Sequence, residues 1–359
     1  MLARKRAGGS CLGSKIIPGA TIKDKYSVNG REDSKVANND STCTVRVAFH
    51  STSMFEVWFI TGVSSGLGFE MALQALQQGF RVIGTVRNKQ RAAKEITAIE
   101  GAGGTIVVLD ITDAEACYRV FAEADKIHGQ IDVLVNNAGA SYLGALEDFT
   151  YVTITIYWGA ALTCKRIDSD EEVQAQMDLC FGAPYRLIRA ALPSYRRRRT
   201  GTIVNISSSA GIDGIAACGL YAASKFALEG FSEALAREVE VYNVKVVIVE
   251  PGAFRTNFLG AYIRSKSTTN LVHYPAAQAS FDKFDAWSGK QPGDTVKGAA
   301  AIVRVASGKG TNGPQVGKAM RLPLGNDCVA RLEAKIKSMK DDLDGNRSLS
   351  ESTNHDDLK

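Results

Sequence analysis

The sequence lacks any C-x-x-C pair, although it contains seven cysteines among its 359 residues. They are Cys11, Cys43, Cys117, Cys164, Cys180, Cys218 and Cys328. An odd number of scattered cysteines matches neither a disulfide framework nor a zinc site. We therefore expect reduced thiols in an intracellular protein that binds no metal.

Long apolar runs are also missing. A membrane-spanning helix needs about 18 or more consecutive apolar residues. The nearest candidate, FTYVTITIYWGAALTC at 149–164, is uncharged but short and rich in threonine. The first residues, MLARKRAGGS, are basic but precede no apolar core, so they do not resemble a secretory signal. These absences predict no integral membrane segment and a cytoplasmic location.

A strong excess of one charge is absent as well. The net charge is +5 and the isoelectric point about 8.7, and the densest basic run is Arg196–Arg199. A nucleic-acid interface needs a wider basic stripe with interleaved aromatic residues. We interpret the run as a solvated helix end, where arginines complement the helix dipole, and we expect no nucleic-acid partner.

What is present is a regular alternation of strands and helices. Residues 1–54 are polar and aperiodic, which predicts a disordered extension, and 344–359 predict a disordered tail. Between them, apolar strand-like runs such as VWFI and VKVVIVE alternate with amphipathic helices. This pattern predicts one α/β domain at 55–343, a Rossmann-type, doubly wound parallel sheet with helices on both faces. We assign 257–343 to a substrate cleft and C-terminal helices.

The stretch TGVSSGLG at 61–68 joins the first strand to the first helix. Gly62 permits a tight turn, Gly66 permits close approach of a ligand, and Gly68 permits close helix–strand packing. With Ser64, Ser65 and Leu67, these residues place helix N–H groups where a pyrophosphate binds. The sequence therefore predicts a dinucleotide site.

The end of the second strand bears on which dinucleotide binds. An NAD-preferring enzyme tends to carry an acidic residue there, but Val86 and Arg87 stand in its place. Thr85 and Arg87 are candidates to hold a 2′-phosphate, because guanidinium suits phosphate geometry. We predict NADP(H) over NAD(H), although Arg87 also fits an ordinary solvated strand end.

Two further strand ends carry polar groups. Asp110 follows the third strand and is a candidate to accept a hydrogen bond from the adenine amine, or else to cap the next helix. NNAG, with Asn137, Ala138 and Gly139, ends the fourth strand at the sheet edge where open α/β folds bind ligands.

Tyr221 and Lys225 lie four residues apart in YAASK, on one face of a predicted helix. A neighbouring ammonium favours the phenolate and lowers the tyrosine pKa. Taken alone, this pair also fits a half-buried aromatic residue beside a solvated lysine.

Four motifs stand in order: TGVSSGLG, NNAG, a serine ahead of YAASK, and PGAFRT at 251–256. Together they resemble the short-chain dehydrogenase/reductase family over roughly 56–260. The run LPLGNDCVARLEAKI at 322–336 is similar to members of the hydroxysteroid and retinol dehydrogenase type. The resemblance implies Tyr221 as the acid/base, Lys225 as the residue that tunes it and binds the nicotinamide ribose, and Ser208 as the residue that holds the substrate oxygen.

The same resemblance implies further cofactor contacts. The PGAFRT segment would close over the nicotinamide, with contacts from Pro251, Gly252, Phe254 and Thr256. It also suggests a homo-oligomer formed through helices at 171–192 and 220–240.

The sequence departs from the family pattern at two places. The family's relay asparagine falls on Cys180, or on Leu179 if the register slips by one. A thiol donates hydrogen bonds only weakly, so we expect an impaired proton relay. The second departure is an atypical insertion at 149–166, which is either an extra structural element or a translated, unspliced intron.

These observations predict an NADP(H)-dependent oxidoreductase that interconverts a secondary alcohol and a ketone or aldehyde on a small apolar substrate. The small aliphatic residues at 210–219 favour the apolar substrate. The alternative is a cofactor-binding protein with little or no catalysis, because the relay asparagine is absent. A plain structural α/β protein is a third reading.

Overall fold

The computed structural model describes residues 55–149, 171–308 and 319–355 in full, and the backbone alone at 152–158 and 161–167. The predicted disordered extension at 1–54 lies outside the described residues.

The described strands fall into one large parallel sheet and two small sheets. In chain order they are β1 (Val57–Ile60), β2 (Arg81–Val86), β3 (Thr105–Val108), β4 (Val133–Asn136), β5 (Tyr142–Leu143), β6 (Val152–Trp158), β7 (Ala161–Ile167), β8 (Gly201–Ile206), β9 (Val244–Pro251), β10 (Ile263–Arg264) and β11 (Arg321–Leu324).

The helices surround the large sheet. They are α1 (Gly66–Gln77), α2 (Ala93–Gly101), α3 (Ala114–Ile127), α4 (Glu171–Met177), α5 (Ala183–Arg198), α6 (Gly219–Val239), α7 (Pro275–Trp287), α8 (Thr295–Ser307) and α9 (Asn326–Glu351). A π turn, Asp178–Gly182, joins α4 to α5. Short 3₁₀ turns lie at Leu146–Asp148, Ser209–Gly211, Glu240–Tyr242, Asn257–Gly260 and Leu271–His273.

The large sheet has seven strands in the order β11-β9-β8-β4-β1-β2-β3. Every neighbouring pair is parallel. The chain winds outward in opposite directions from the junction of β1 and β4, so a crevice opens there beyond the carboxyl ends of the strands.

Alternating side chains of the strands build two cores, one on each face of the sheet. Trp58 and Ile60 join a buried cluster formed with α1, α2 and α8. Val57 and Phe59 join a second cluster formed with α3, α5 and α6. The predicted fold class, a doubly wound parallel sheet with helices on both faces, is thus confirmed.

Three elements differ from the sequence prediction. The strand β11 was not expected, because RLPL is short and contains Pro323, which an edge strand tolerates. The helix α7 lies in a stretch that looked irregular. The predicted disordered tail begins too early, since α9 continues to Glu351. Ion pairs one turn apart on α9, such as Lys337–Asp341 and Arg347–Glu351, support this continuation.

The atypical insertion forms a hairpin. Strands β6 and β7 pair with each other antiparallel, and within the described residues neither joins the large sheet. None of the described helices is long and apolar enough to cross a membrane.

Candidate active site

The glycine loop, residues 61–68, lies at the crevice between β1 and β4. Gly62 and Gly66 have φ angles of +73° and +57°, which favour glycine. A Cβ atom on Gly68 would lie 2.3 Å from the carbonyl oxygen of Gly62, so a larger residue does not fit there.

The N-terminus of α1 is open to an anion. Ser64 and Ser65 are exposed, and the side chain of Ser65, the N-cap residue, makes no capping hydrogen bond. The first turn, which includes Leu67, carries no acidic residue. Unpartnered N–H groups and the helix dipole thus face a site that fits the pyrophosphate of a nicotinamide dinucleotide.

The NNAG segment is fastened to this loop. The amide nitrogen Nδ2 of Asn137 donates to the carbonyl oxygens of Thr61 at 2.9 Å and Gly62 at 3.1 Å. The hydroxyl of Thr61 accepts hydrogen bonds from the backbone N–H groups of Asn137 and Ala138. Gly139 follows directly, and a Cβ there would lie 3.9 Å from Nζ of Lys225. The carboxyl ends of β1 and β4 therefore form one rigid wall of the crevice.

Thr85 and Arg87, at the end of β2, differ in their exposure to solvent. Thr85 is buried, and its Oγ1 accepts from the N–H of Gly62 at 3.3 Å, so it supports the glycine loop instead of facing solvent. Arg87 is exposed at the strand end.

Asp110 lies near Arg87 and does not cap a helix. The N-cap of α3 is Asp113, whose side chain accepts from the N–H of Ala116. Partial burial acts to raise the pKa of Asp110, but two hydrogen bonds from Thr112 and the charge of Arg87 outweigh it and lower the pKa. The ionised carboxylate remains an acceptor at the sheet edge.

The PGAFRT segment reaches the glycine loop from the other side. Pro251 ends β9, and a Cβ added to Gly66 would lie 3.0 Å from the methyl group of Thr256. The backbone of Gly252 donates to Leu324, while the ring of Phe254 packs against Gly298 of α8. These contacts bring the segment to the crevice, and its contact with a nicotinamide stays a prediction.

Tyr221, Ser208 and Lys225 come together beside that crevice. Tyr221 is 8% exposed, and the Ser208 side chain is near enough to influence the pKa of its hydroxyl. Ser208 Oγ is oriented by the N–H of Ala210 at 3.1 Å. Lys225 is buried, and its Nζ donates to the carbonyl oxygen of Ile206 at 2.8 Å.

The pKa of Tyr221 differs from the sequence prediction. Burial raises the pKa of its hydroxyl above the ordinary value, and nearby Cys180 and Cys218 add to this, while the neighbouring Ser208 side chain opposes it. Nζ of Lys225 lies 5.8 Å from the centre of the Tyr221 ring and is engaged by Ile206. The expected lowering is therefore wrong for this geometry, because desolvation dominates.

Comparison with known proteins identifies the family. The profile described as short chain dehydrogenase matches residues 56–266. The chain belongs to the short-chain dehydrogenase family. Family members are oxidoreductases that use a nicotinamide cofactor.

Individual relatives are similar over most of the described domain. The chain is 43% identical to the oxidoreductase claN of Passalora fulva over 58% of this chain and 86% of that protein. It is 34% identical to human retinol dehydrogenase 8 over 69% of this chain and 76% of that protein. A solved short-chain dehydrogenase from Streptomyces avermitilis matches with a TM-score of 0.70 and 34% identity, over 84% of this chain and all of that one.

As a member of this family, the chain departs from the expected pattern at Cys180. Cys180 is buried in the π turn, close to Gly139, and its thiol donates to the carbonyl oxygen of Ala140 at 3.4 Å. The nearest carboxamide belongs to Gln176, whose Nε2 lies 3.1 Å from the Cys180 sulfur. Gln176 also binds Tyr142 N and Ser224 Oγ, so its amide is occupied in fixing α4 to α6.

The sequence analysis missed three residues that support the site. Asp327, at the start of α9, accepts from the N–H of Ala253 at 2.7 Å and thereby holds the PGAFRT segment. Arg331 binds Asp213 and Ser209, next to Ser208. Arg321 pairs with buried carboxylates behind the site. The one signal in the sequence for these three residues is that Asp327 is an acidic residue in the first turn of α9. Arg321 and Arg331 contact residues that are distant in the sequence, so no local spacing indicates their role.

The side of the site opposite the glycine loop is apolar. Tyr221 belongs to a third cluster with Leu143, Ala217, Cys218 and other buried residues, against which parts of α7 pack. The ring of Phe258 lies 5.6 Å from that of Tyr221, centre to centre. Tyr221 therefore borders an apolar surface.

Proposed function

We propose that the chain is an NADP(H)-dependent oxidoreductase that acts on a small apolar substrate and interconverts a secondary alcohol and a ketone, or a primary alcohol and an aldehyde. The observation that carries this proposal is the buried Tyr221 with Ser208 next to its hydroxyl, beside a crevice that fits a dinucleotide. When bound, the cofactor supplies or accepts a hydride.

The chain's own residues supply the proton chemistry. The hydroxyl of Tyr221 keeps its proton at neutral pH and is the group placed to donate it to a carbonyl oxygen, although the pKa raised by burial makes it a weaker acid. Ser208 orients that hydroxyl and offers a hydrogen bond to an oxygen on which charge develops. Lys225, fixed by Ile206, places a positive charge beneath the site and is positioned to bind the ribose.

The preference for NADP(H) rests on Arg87. It is the exposed cation at the end of β2, where a carboxylate would favour NAD(H). The apolar substrate rests on the cluster around Tyr221 and Phe258. The name of the retinol dehydrogenase relative supports an apolar substrate. The cytoplasmic location remains a prediction from the sequence.

Turnover across a panel of apolar ketones and aldehydes, followed by NADPH oxidation, tests the activity. We expect Tyr221→Phe to abolish turnover while NADPH binding stays within about threefold of the wild type. If the folded wild type binds NADPH tightly but turns over nothing, it is instead a cofactor-binding protein.

The same preparation tests the cofactor preference. Loss of one charge-assisted contact costs about 1.5–3 kcal/mol, so Arg87→Ala should reduce the ratio of NADPH to NADH affinity by about tenfold or more. Arg91→Ala, another exposed arginine after the same strand, is the matched control and should leave the ratio unchanged. An unchanged ratio in Arg87→Ala removes the phosphate assignment.

A further inference from the structure

The last helix carries an exposed apolar stripe. Val329, Leu332, Ile336, Met339 and Leu343 follow one another at alternating spacings of three and four residues, which is the a/d pattern of a coiled coil. Val329, Ile336, Met339 and Leu343 are 41%, 60%, 61% and 52% exposed. Single exposed apolar residues are ordinary, but a continuous row along one helix face marks an interaction surface.

Among the described residues, no other element covers the C-terminal half of this stripe. The N-terminal part of α9 is held down through Asp327, buried Cys328 and Arg331. From Ile336 to Glu351 every residue of α9 is exposed. Within the described part of the chain, the second half of the stripe therefore has no covering element.

We propose that the stripe of α9 binds the same stripe of a second copy of this chain, with the two helices antiparallel. In this register Ile336 faces the partner's Met339, and Leu332 faces the partner's Leu343. Each apolar residue from Leu332 to Leu343 thus meets an apolar residue of the other helix.

The flanking charges select the antiparallel arrangement. It places Glu333 beside the partner's Lys340, and Lys335 beside the partner's Asp342, so both kinds of pair are attractive. A parallel pair would place Lys335 beside the partner's Lys340. Glu333, Lys335 and Asp342 form no ion pair with any residue that the structure describes.

A membrane surface is a weaker partner for this helix. The polar residues of α9 include Asp341, Asp342 and Asp344, and the helix contains more acidic than basic residues. Helices that bind anionic bilayers are rich in lysine and arginine instead. The charge pattern therefore matches a second copy better than a lipid surface.

Sedimentation equilibrium of the full chain over a range of concentrations tests the proposal. We expect Ile336→Lys/Met339→Lys to halve the mass of the assembly, or to raise its dissociation constant by at least about tenfold. Both residues are exposed, so the fold should persist. Ala334→Lys/Ser338→Lys puts the same charges on the opposite face of α9 and should leave the mass unchanged.

Charge exchange tests the orientation. Lys335→Glu alone and Asp342→Lys alone should each weaken association, and the double variant should restore it. A gain in association by Lys335→Glu alone would show a parallel pair and overturn the orientation.

Other outcomes overturn the docking itself. A wild type that stays monomeric, or an assembly that is insensitive to the apolar substitutions, excludes the stripe as the contact. If a monomeric wild type sediments with phosphatidylcholine–phosphatidylserine vesicles and Ile336→Lys/Met339→Lys does not, the stripe is a membrane surface.

Discussion

Cys180 is the residue at which the catalytic machinery departs most from the family pattern. Its thiol is buried among Gly139, Ala140 and Gln176, near Lys225. A thiol is a weak hydrogen-bond donor and acceptor, whereas a carboxamide offers two donors and a good acceptor. Under the proposed function, we therefore expect proton delivery toward Lys225 and Tyr221 to be weaker here than with asparagine.

We expect Cys180→Asn to raise kcat for carbonyl reduction by about tenfold, a fraction of what general acid–base catalysis contributes. The KM for NADPH should change less than kcat, because the substitution leaves the proposed pyrophosphate and 2′-phosphate contacts unaltered. Steady-state kinetics with the best substrate measures both constants. Cys180→Ala, which removes the sulfur and adds no donor, is the control and should not exceed the wild-type kcat. Equal kcat values in all three proteins would exclude Cys180 from the proton path.

At the residue scale, the positions of side chains that belong to a local sequence motif could be predicted. The positions of side chains that depend on contacts with residues distant in the sequence could not. The glycine loop, NNAG and the Tyr221–Lys225 pair carry their spacing in the sequence, and the structure brings them to one crevice. The inward direction of Thr85 and the bond from Ala253 to Asp327 depend on packing between elements. The pKa of Tyr221 likewise depends on burial, which spacing does not reveal.

At the scale of elements, periodic apolar strands and helices were predictable, and short or interrupted ones were not. The four-residue strand β11 has no periodicity to detect and forms only because β9 offers it an edge. The hairpin β6–β7 could not be predicted for another reason. Its threonines and other β-branched residues fit a strand, but the family pattern contains no strand with which it would pair.

The hairpin should be dispensable for folding. Its strands hydrogen-bond to each other, and the chain before it is anchored independently, since Asp148 accepts from the N–H of Asn270 at 2.8 Å. We expect replacement of residues 150–167 by a short Gly-Ser linker to lower the unfolding temperature by no more than about 2–4 °C, equivalent to about 1 kcal/mol.

Thermal unfolding followed by circular dichroism measures this difference. Asp148→Ala is the comparison, because it leaves the N–H of Asn270 without its buried acceptor and should destabilise the domain more than the hairpin replacement does. Loss of the folded state on replacement would show that the hairpin is an integral part of the domain.

At the scale of the whole molecule, one charge cluster joins β11 to α6, the helix that carries Tyr221 and Lys225. Arg321 of β11 pairs with Glu229 of α6 at 3.0 Å and with Glu250 of β9 at 3.0 Å. Glu229 is one turn beyond Lys225, and Glu250 directly precedes the PGAFRT segment. Arg321 also pairs with the more exposed Glu233, so a single guanidinium serves three carboxylates.

Because one arginine pairs with three carboxylates, the stability of the domain depends on pH. Burial, together with the charge of Glu229, raises the pKa of Glu250 from its ordinary 4.5 to about 7, although Arg321 opposes the shift. The folded state then binds more protons than the unfolded state between these two values. The contribution of Glu250 to stability is therefore full below pH 4.5 and is lost as the pH rises through about 7.

We expect the free energy of unfolding of the wild type, measured in urea, to fall relative to that of Glu250→Gln between pH 4.5 and 8. The relative fall should be on the order of 2–3 kcal/mol, because one pKa unit corresponds to about 1.4 kcal/mol. Taking the difference between the two proteins cancels the titrating groups that do not interact with Glu250. Glu233→Gln removes a carboxylate from the same arginine at a more exposed position and should reproduce most of the wild-type slope. Parallel pH profiles for the wild type and Glu250→Gln would show that Glu250 is ionised throughout, and that Arg321 compensates it fully.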